Sequence, residues 1–174
     1  MGRGVFISFE GGDGVGKTTQ VELLTNWLED QGVSVRRTRE PGATALGAQL
    51  RSLLLGTASE NAQRTQITAK AEALLFAADR AQHVNELINP ALAAGQVVLT
   101  DRYIDSSVAY QGAARCLGAE EVRDLSLWAT DNLLPDLTLL LDADPQLAAK
   151  RVHTRSGQAD AIEAEGLQFQ YRLR

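Results

Sequence analysis

The sequence predicts an α/β fold in which a central parallel sheet lies between two layers of helices. Short apolar runs alternate with helical patterns, the first run leads directly into a glycine-rich phosphate-binding pattern, and polar residues follow several runs. This alternation implies parallel strands joined by helical crossovers, and such sheets bind ligands at the carboxyl ends of their strands. Glu10, Arg39, Asp101 and Asp142 mark those ends.

The composition is typical of one globular domain, which we expect to cover residues 1–174. Hydrophobic residues make up 44% of the chain and charged residues 22%. The net charge of -5 argues against a nucleic-acid partner, because such a surface repels a phosphate backbone. The single cysteine, Cys116, cannot form an intramolecular disulfide, and no apolar run approaches the roughly 18 residues of a membrane span. We therefore expect a cytoplasmic protein without a membrane partner.

The first half of the chain contains two predicted strands and two predicted helices. Residues 4–10 form an apolar run that is typical of a strand buried on both faces. Apolar residues then recur at helical spacing over residues 21–28, until Gly32 ends the helix. Residues 33–39 alternate as a second strand, and the leucines of residues 46–54 share one helical face.

The second half of the chain repeats the alternation. A long helix is predicted over about residues 68–89, and Pro90 should kink or end it. Residues 96–101 then form a buried strand that ends in an acid. The other predicted elements are helices at 90–94, 106–111 and 120–134, a strand at 137–142, and a helix with Asp144 as N-cap and Pro145 in its first turn.

The C-terminal end of the chain has a different character. Residues 151–160 are polar, and a further helical pattern begins near Ile162 and stops at Arg174. Because sheets of the predicted kind usually have another strand, we expect that a C-terminal part of the protein is missing from this chain.

The glycine-rich stretch after the first strand is the most specific motif. Residues 11–18 fit the pattern G-x-x-x-x-G-K-[ST], and a strand before it and a helix after it supply the context of a phosphate-binding P-loop. Glycines let the backbone N–H groups surround an anion, and the start of the helix adds its positive dipole. The predicted nucleotide-binding residues are Gly11, Gly12, Asp13, Gly14, Val15, Gly16, Lys17, Thr18 and Thr19.

Further blocks resemble bacterial thymidylate kinases, which phosphorylate dTMP with ATP, over most of the chain. The matching blocks are residues 10–19 (EGGDGVGKTT), 38–42 (TREPG), 74–80 (LLFAADR), 101–103 (DRY), 107–112 (SVAYQG) and 135–138 (PDLT). The P-loop alone marks a superfamily, whereas the blocks together mark one enzyme. The resemblance implies a three-layer P-loop kinase fold with a mobile lid at about residues 151–160, and a homodimer formed through long helices such as the one that contains Phe76.

The resemblance assigns the charged residues to phosphoryl transfer, which needs positioning and charge neutralisation more than covalent chemistry. Lys17 and Thr18 would hold ATP and Mg²⁺, and Asp101 would orient the metal and its waters. The alternative for Asp101 is a simple ion pair with Arg102. Arg51 and Arg102 are candidates for the acceptor phosphate, because guanidinium groups match phosphate oxygens at two points; exposed surface arginines are the alternative.

The nucleoside part of the acceptor is assigned in the same way. Phe76 and Arg80 lie four residues apart, so one helical face offers a ring for stacking and a donor to a base carbonyl. Ser107 and Gln111 are also four residues apart, and an amide can pair with the donor and acceptor edge of thymine. From the residues alone, Phe76 would instead be an ordinary core residue.

Three more side chains are assigned by the resemblance. Tyr110 resembles the family tyrosine that packs near the 2′ carbon of the sugar, and Asp13 resembles the acid that reaches the 3′-hydroxyl. Glu40 resembles another acid of the site. The alternatives are a half-buried tyrosine that supports its helix and a solvated loop carboxylate at Asp13.

The chain departs from the family pattern in two places. Ala43 replaces a second glycine after Pro-Gly, which restricts that loop. Bacterial lids commonly contain Asp-Arg-x-Glu, whereas residues 160–163 of this chain are Asp-Ala-Ile-Glu. The catalytic lid arginine is therefore expected to be Arg151 or Arg155.

The predicted reaction is ATP + dTMP → ADP + dTDP, assisted by Mg²⁺. The first alternative is another deoxynucleotide or nucleoside kinase, against which Phe76, Arg80 and Gln111 favour thymine. The second is a nucleotide-binding switch with the same P-loop. Such a switch would need a guanine-reading Asn-Lys-x-Asp, and the sequence contains no Asn-Lys pair.

Overall fold

The computed structural model describes residues 2–56 and 67–152 with their side chains, residues 153–155 as helical backbone, and residues 169, 171 and 173. The strands are β1 (Phe6–Glu10), β2 (Val35–Arg39), β3 (Val97–Asp101) and β4 (Leu137–Leu140). The helices are α1 (Lys17–Asp30), α2 (Ala45–Leu55), α3 (Ala69–His83), α4 (Asn89–Ala93), α5 (Ile104–Ser107), α6 (Ala119–Ala129) and α7 (Pro145–Arg155).

The four described strands form one parallel sheet in the order β2-β3-β1-β4. Its central strands are the most apolar, because they are covered on both faces. Phe9 and Leu99 pack with Val21 of α1. A separate cluster joins Phe6 and Val98 to residues of the helices that follow α3. The helices therefore lie on both sides of the sheet, which confirms the predicted three-layer α/β architecture.

The register of the sheet brings the predicted edge residues together. Phe9 of β1 lies beside Asp101 of β3, which in turn lies beside Arg39 of β2. Glu10 lies beside Leu140 of β4. The P-loop and the segment after β3 therefore emerge next to each other at the carboxyl edge of the sheet.

Two wide π-helical turns interrupt the predicted helices. Val84–Ile88 separates α3 from α4, and Val108–Ala114 follows α5 directly. The predicted helix over residues 68–89 thus ends as a regular α-helix at His83. Pro90 lies in the first turn of α4, directly after the wider turn at Val84–Ile88, and the chain continues as a helix through it.

Smaller differences concern the ends of elements. The helix predicted at 106–111 is a short α-helix followed by a π turn, and the one predicted at 120–134 ends at Ala129. The expected cap of α7 is present, because Asp144 Oδ1 accepts from the backbone N–H groups of Gln146 and Leu147. Within the described parts of the chain, no helix has the length and apolarity that crossing a bilayer requires.

Candidate active site

The P-loop between β1 and α1 adopts the backbone conformation that its glycines predict. Gly11, Gly14 and Gly16 have φ angles of 132°, 79° and 105°, a region that side chains with a Cβ disfavour. Gly14 also lies against α7, since a Cβ there would come within 2.3 Å of the Ala148 carbonyl oxygen. The loop therefore needs glycine both for its curvature and for its contact with α7.

Lys17 is held inside its own loop. Its Nζ donates to the carbonyl oxygens of Gly11 at 3.0 Å and Gly12 at 2.7 Å, and the residue is 6% exposed. Burial, reinforced by the positive charge of Arg102, lowers the pKa of Lys17 to about 8. The carboxylates of Asp13, Asp101 and Glu10 act in the opposite direction, and a phosphate in the loop would add further negative charge beside this ammonium group.

Thr18 and Asp101 bring two oxygen ligands to one place. The Thr18 hydroxyl donates to Asp101 Oδ2 at 2.8 Å, across the gap between the start of α1 and the end of β3. A hydroxyl and a carboxylate fit the preference of Mg²⁺ for hard oxygen ligands. In the described part of the chain, no group of three or more His, Cys, Asp or Glu side chains could enclose a metal by itself. A magnesium ion here would complete its shell with phosphate and water oxygens.

Arg102 lies between the P-loop and the helices after β3. Its φ of 74° is unusual for a residue other than glycine, a conformation that is often found at functional sites. Its guanidinium donates to the Asp13 carboxylate, to the Gly11 carbonyl at 3.1 Å and to Tyr110 Oη at 3.2 Å. The alternative interpretation of Asp101 as an ion-pair partner of Arg102 is therefore not what the structure has, because Arg102 pairs with Asp13.

Asp13 links the P-loop to the tyrosine on the π turn. Tyr110 Oη donates to its Oδ2 at 2.9 Å, while Arg102 binds Oδ1. Burial opposes ionisation of this carboxyl, yet the charges of Arg102 and Lys17 hold the pKa of Asp13 below its ordinary value. Burial raises the pKa of Tyr110, so its hydroxyl remains a donor. Asp13 is thus a charged acceptor at the boundary between the loop and the helices.

A cleft opens behind Arg102, and we call it the arginine cleft. All nine predicted acceptor-binding residues line it, although they come from six separate stretches of the chain. They are Asp13, Glu40, Arg51, Phe76, Arg80, Arg102, Ser107, Tyr110 and Gln111. Pro41, Leu55, Tyr103 and Ser106 complete the lining.

A second opening runs along the P-loop and β2, and we call it the P-loop groove. Its lining includes Lys17, Thr18 and Thr19 of the loop and helix start, together with Asp101. Its wall also contains arginines of the edge strand β2. The residues that the P-loop groove shares with the arginine cleft are Asp13, Glu40, Arg51 and Arg102. The two openings therefore meet at a boundary made of two acids and two arginines.

Arg80 forms the floor of the arginine cleft and is 1% exposed. Its Nε donates to Glu40 Oε2 at 2.8 Å, and its terminal nitrogens donate to the hydroxyls of Ser126 at 3.0 Å and Ser107 at 2.9 Å. Glu40 also binds His83 Nδ1 at 2.9 Å. Ser107 therefore serves as a partner of Arg80, and Glu40 fixes Arg80 from the opposite side.

Arg51 reaches from α2 to the loop after β2. Its Nη1 donates to the Pro41 carbonyl at 2.8 Å, next to the cis peptide bond between Glu40 and Pro41. Gly42, the next residue, packs closely on the Arg51 side chain. This arginine is thus held beside the boundary of the two openings, where a phosphate that bridges them would lie.

The two lid candidates, Arg151 and Arg155, lie four residues apart on α7. Arg151 is exposed on α7, next to Val152, whose side chain lies close to Gly14 of the P-loop. The side chain of Arg155 and residues 156–160 of the predicted lid lie outside the described residues, as do Ala161 and Glu163.

Sequence reasoning missed several residues behind the site. Glu10 was marked only as an edge residue, yet its carboxyl accepts from Tyr103 N at 2.8 Å and from the Ser106 hydroxyl. Burial raises the pKa of Glu10, although the bond from Ser106 acts in the opposite direction. Asp79, also overlooked, accepts from Gly42 N at 3.0 Å. An acid at the end of a buried strand is a signal that could have identified Glu10.

Comparisons with known proteins agree with this architecture. A family model described as thymidylate kinase matches residues 9–174. A thymidylate kinase of Bifidobacterium longum strain DJO10A is 58% identical over 171 residues, which cover 98% of this chain and 81% of the relative. One from Leifsonia xyli subsp. xyli is 55% identical and is covered to 79% of its length, against 98% of this chain.

A solved structure gives the same result at lower identity. The crystal structure of thymidylate kinase from Ehrlichia chaffeensis superposes with a TM-score of 0.71 at 36% identity, covering 87% of this chain and 83% of that chain. The family model and the relatives span nearly the whole sequence, including every residue of the two openings. The chain therefore belongs to the thymidylate kinase family.

Proposed function

We propose that this thymidylate kinase transfers the terminal phosphoryl group of ATP to dTMP at the boundary of its two openings. The observation that carries the proposal is that Asp13, Glu40, Arg51 and Arg102 line both the P-loop groove and the arginine cleft. ATP would occupy the groove and dTMP the cleft, so that their phosphates meet at the boundary. Catalysis would then rest on positioning and charge neutralisation.

On the ATP side, the backbone N–H groups of residues 11–19 would bind the phosphates. Lys17 would exchange its two carbonyl partners for phosphate oxygens, which removes the cost of burying its charge. Thr18 and Asp101 would hold Mg²⁺, which when bound neutralises part of the phosphate charge. Their present hydrogen bond of 2.8 Å supports this role, because it already brings both oxygens together.

On the dTMP side, Arg51 and Arg102 would bind the acceptor phosphate from either side of the boundary. Both guanidinium groups are already fixed by backbone carbonyls, at Pro41 and Gly11 respectively. A preorganised donor loses little entropy when its anion arrives. Arg102 would therefore steady the phosphate that attacks ATP, and we count it with Lys17 and Asp101 among the catalytic residues.

The nucleoside would fill the rest of the arginine cleft. Phe76 offers its ring to the base, and Arg80 and Gln111 face it from the floor and wall of the cleft. Tyr110 and Asp13, joined by a hydrogen bond of 2.9 Å, would bind the sugar. Glu40 and Ser107 would act by holding Arg80 in place.

We further propose that a lid covers the site and that Arg151 or Arg155 reaches the transferred phosphate. Support comes from α7, which carries Arg151 and packs on Gly14 of the P-loop. A closing segment would exclude water, which otherwise competes with dTMP as acceptor. Separate Arg151→Ala and Arg155→Ala variants test this, and the catalytic arginine is the one whose loss lowers kcat without raising the KM for dTMP.

A nucleotide panel tests the main proposal. Purified protein with MgATP should release ADP faster with dTMP than with AMP, CMP or GMP, and a coupled ADP assay measures this. Equal rates with all four acceptors would exclude the proposal. A rate with dUMP comparable to that with dTMP would show that the methyl group of thymine is not recognised.

We also propose that the protein forms a homodimer through α2 and α3. Leu46 and Leu53 are exposed seven residues apart on α2, and Leu74 is exposed on α3, which packs beside α2. Light scattering should give twice the chain mass, and Leu53→Glu should halve it. Leu23→Glu, at an equally exposed leucine of α1, is the control that should leave the mass unchanged.

We propose in addition that the chain is a single domain located in the cytoplasm. The free exposed thiol of Cys116 supports the cytoplasmic assignment.

A further inference from the structure

A carboxylate behind the wall of the arginine cleft binds the side-chain amide of a residue that lines it. Glu72 lies in the first turn of α3, and its Oε1 accepts from Gln111 Nε2 at 2.8 Å. Gln111 is 1% exposed and lines the arginine cleft. The contact joins two residues 39 positions apart, so it links α3 to the π turn.

The chemistry of this pair leaves only one orientation for the amide. A carboxylate can only accept, whereas the two ends of a glutamine amide are a donor and an acceptor. The NH₂ end of Gln111 must therefore face Glu72. Turning the amide around would place two acceptors against each other inside a buried wall.

The carbonyl end of Gln111 is consequently free for a ligand. No described residue donates to its Oε1. Among the described residues, the only fully buried side-chain nitrogen or oxygen without a partner is Asp79 Oδ2. Oε1 is therefore the end of the Gln111 amide that remains for a ligand in the arginine cleft, which the residue lines.

A second residue keeps the carboxylate in place. Arg115 donates to Glu72 from Nη2 at 3.2 Å and from Nε at 3.3 Å, and its guanidinium also lies 5.3 Å from the ring centroid of Phe169. A carboxylate bound at both oxygens by one guanidinium cannot turn away from Gln111 without losing that pairing.

We propose that Glu72 is a positioning residue that sets base specificity by fixing Gln111 with its carbonyl oxygen towards the base. That oxygen can accept from the ring N–H at position 3 of thymine or uracil. In cytosine the same ring position is an acceptor, so the fixed carbonyl meets a lone pair and the base is rejected. This inference rests on the proposed function, because it requires the base to lie in the arginine cleft.

The test is the ratio of kcat/KM for dTMP to that for dCMP in wild type, Glu72→Gln and Glu72→Ala. Glutamine at position 72 can donate as well as accept, so the Gln111 amide is no longer forced into one orientation. We expect the ratio to fall about 10- to 100-fold in both variants. A loss of this size is typical when a buried polar group is left without a partner. The activity with dUMP should fall in parallel with that with dTMP.

Glu86→Gln is the matched control. Glu86 accepts from Gln82 Nε2 at 2.7 Å, so the same kind of carboxylate–amide pair exists on an exposed helical face away from the cleft. This variant should keep the wild-type ratio. It shows that the loss of one acid from this helical region does not by itself change base choice.

Two outcomes would overturn the inference. One is a uniform loss with dTMP, dUMP and dCMP in both Glu72 variants while their ratios stay within twofold of wild type, which would assign Glu72 to folding alone. The other is a wild-type enzyme that uses dTMP and dCMP equally. If wild type does not phosphorylate dTMP at all, the proposed function fails instead. Calorimetric binding of dTMP and dCMP without ATP then decides the role of Glu72 separately.

Discussion

The two openings of the site are built in different ways. The phosphate-binding groups proposed for the P-loop groove come from one continuous stretch, Gly11 to Thr18, whose backbone conformation depends on glycine. The arginine cleft collects side chains from many elements, and hydrogen-bond partners such as the buried Glu40 and the partly buried Glu72 fix them. The groove should therefore be sensitive to the loss of a single charge, and the cleft to the loss of partners that never touch the substrate.

The largest expected effect tests the groove. Lys17→Ala removes the one ammonium group enclosed by the loop, and we expect kcat/KM to fall by about 10²–10³-fold, since a preorganised charge at the transferred phosphate is lost. A coupled ADP assay measures the change. Lys70→Ala, at an exposed lysine of α3, is the control and should retain full activity. Near-normal turnover of Lys17→Ala would remove the loop lysine from the mechanism.

At the boundary, Arg102→Lys separates charge from geometry. A lysine at this position keeps the positive charge and occupies the same backbone conformation. Its ammonium group cannot, however, bind Asp13, Gly11 and Tyr110 together as the guanidinium does. We expect kcat/KM for dTMP to fall about 10- to 100-fold. Arg123→Lys on the exposed side of α6 should have no effect. If Arg102→Lys were fully active, charge alone would suffice at the boundary.

The buried layer of the cleft can be tested through stability. Burial, with the nearby charge of Glu40, raises the pKa of Asp79 from 3.8 to about 6, although Gly42 N, His83 and Arg80 act in the opposite direction. The folded state therefore holds this proton more tightly than the unfolded state. The contribution of Asp79 to wild-type stability should accordingly decline as the pH rises from about 4 to 6.

Asp79→Asn removes that titration while its amide oxygen can still accept from Gly42 N. From pH 4 to pH 7, the unfolding free energy of the variant should rise by about 1–3 kcal/mol relative to wild type. Urea denaturation at the two pH values measures it, with Asp124→Asn on the exposed face of α6 as the control. Identical pH dependence in wild type and Asp79→Asn would show that the buried carboxylate carries no such cost.

The smallest effect concerns the support of Arg102. Ser106 donates to Glu10 and accepts from Arg102 Nη1 at 3.1 Å, so Ser106→Ala removes one hydrogen bond on each side. We expect a loss of about 1 kcal/mol, or up to about tenfold in kcat/KM for dTMP. Ser52→Ala, whose hydroxyl donates only to its own helix, is the comparison. Equal activity of the two variants would mean that Arg102 does not depend on this support.

The contrast between the openings also explains what could be predicted from the sequence. The P-loop motif, the strand before it and the acid at the end of β3 are local patterns, and the structure places them as expected. Nine of the thirteen residues that line the arginine cleft are predicted by the resemblance to a family, because no local pattern joins stretches so far apart. Their roles stay predictions.

The partners behind the cleft were not predictable by either route. Gln111 and Glu40 are predicted by the resemblance, but their partners Glu72 and His83 lie 39 and 43 positions away and look in sequence like ordinary helix residues. The π turns were missed for a related reason. Their apolar spacing resembles that of an α-helix, and tertiary packing decides where the wider turn forms.

The proposed recognition of the base depends on the number of residues in the π turn at Val108–Ala114. Tyr110 and Gln111 both lie in this turn, which holds more residues than an α-helical turn does. Deleting one residue there would restore a regular helix but rotate the side chains on one side of it by about 100° relative to the other. Tyr110 would then lose Asp13, or Gln111 would lose Glu72. Among relatives, evolution should therefore tolerate substitutions in this segment more readily than any change in its length.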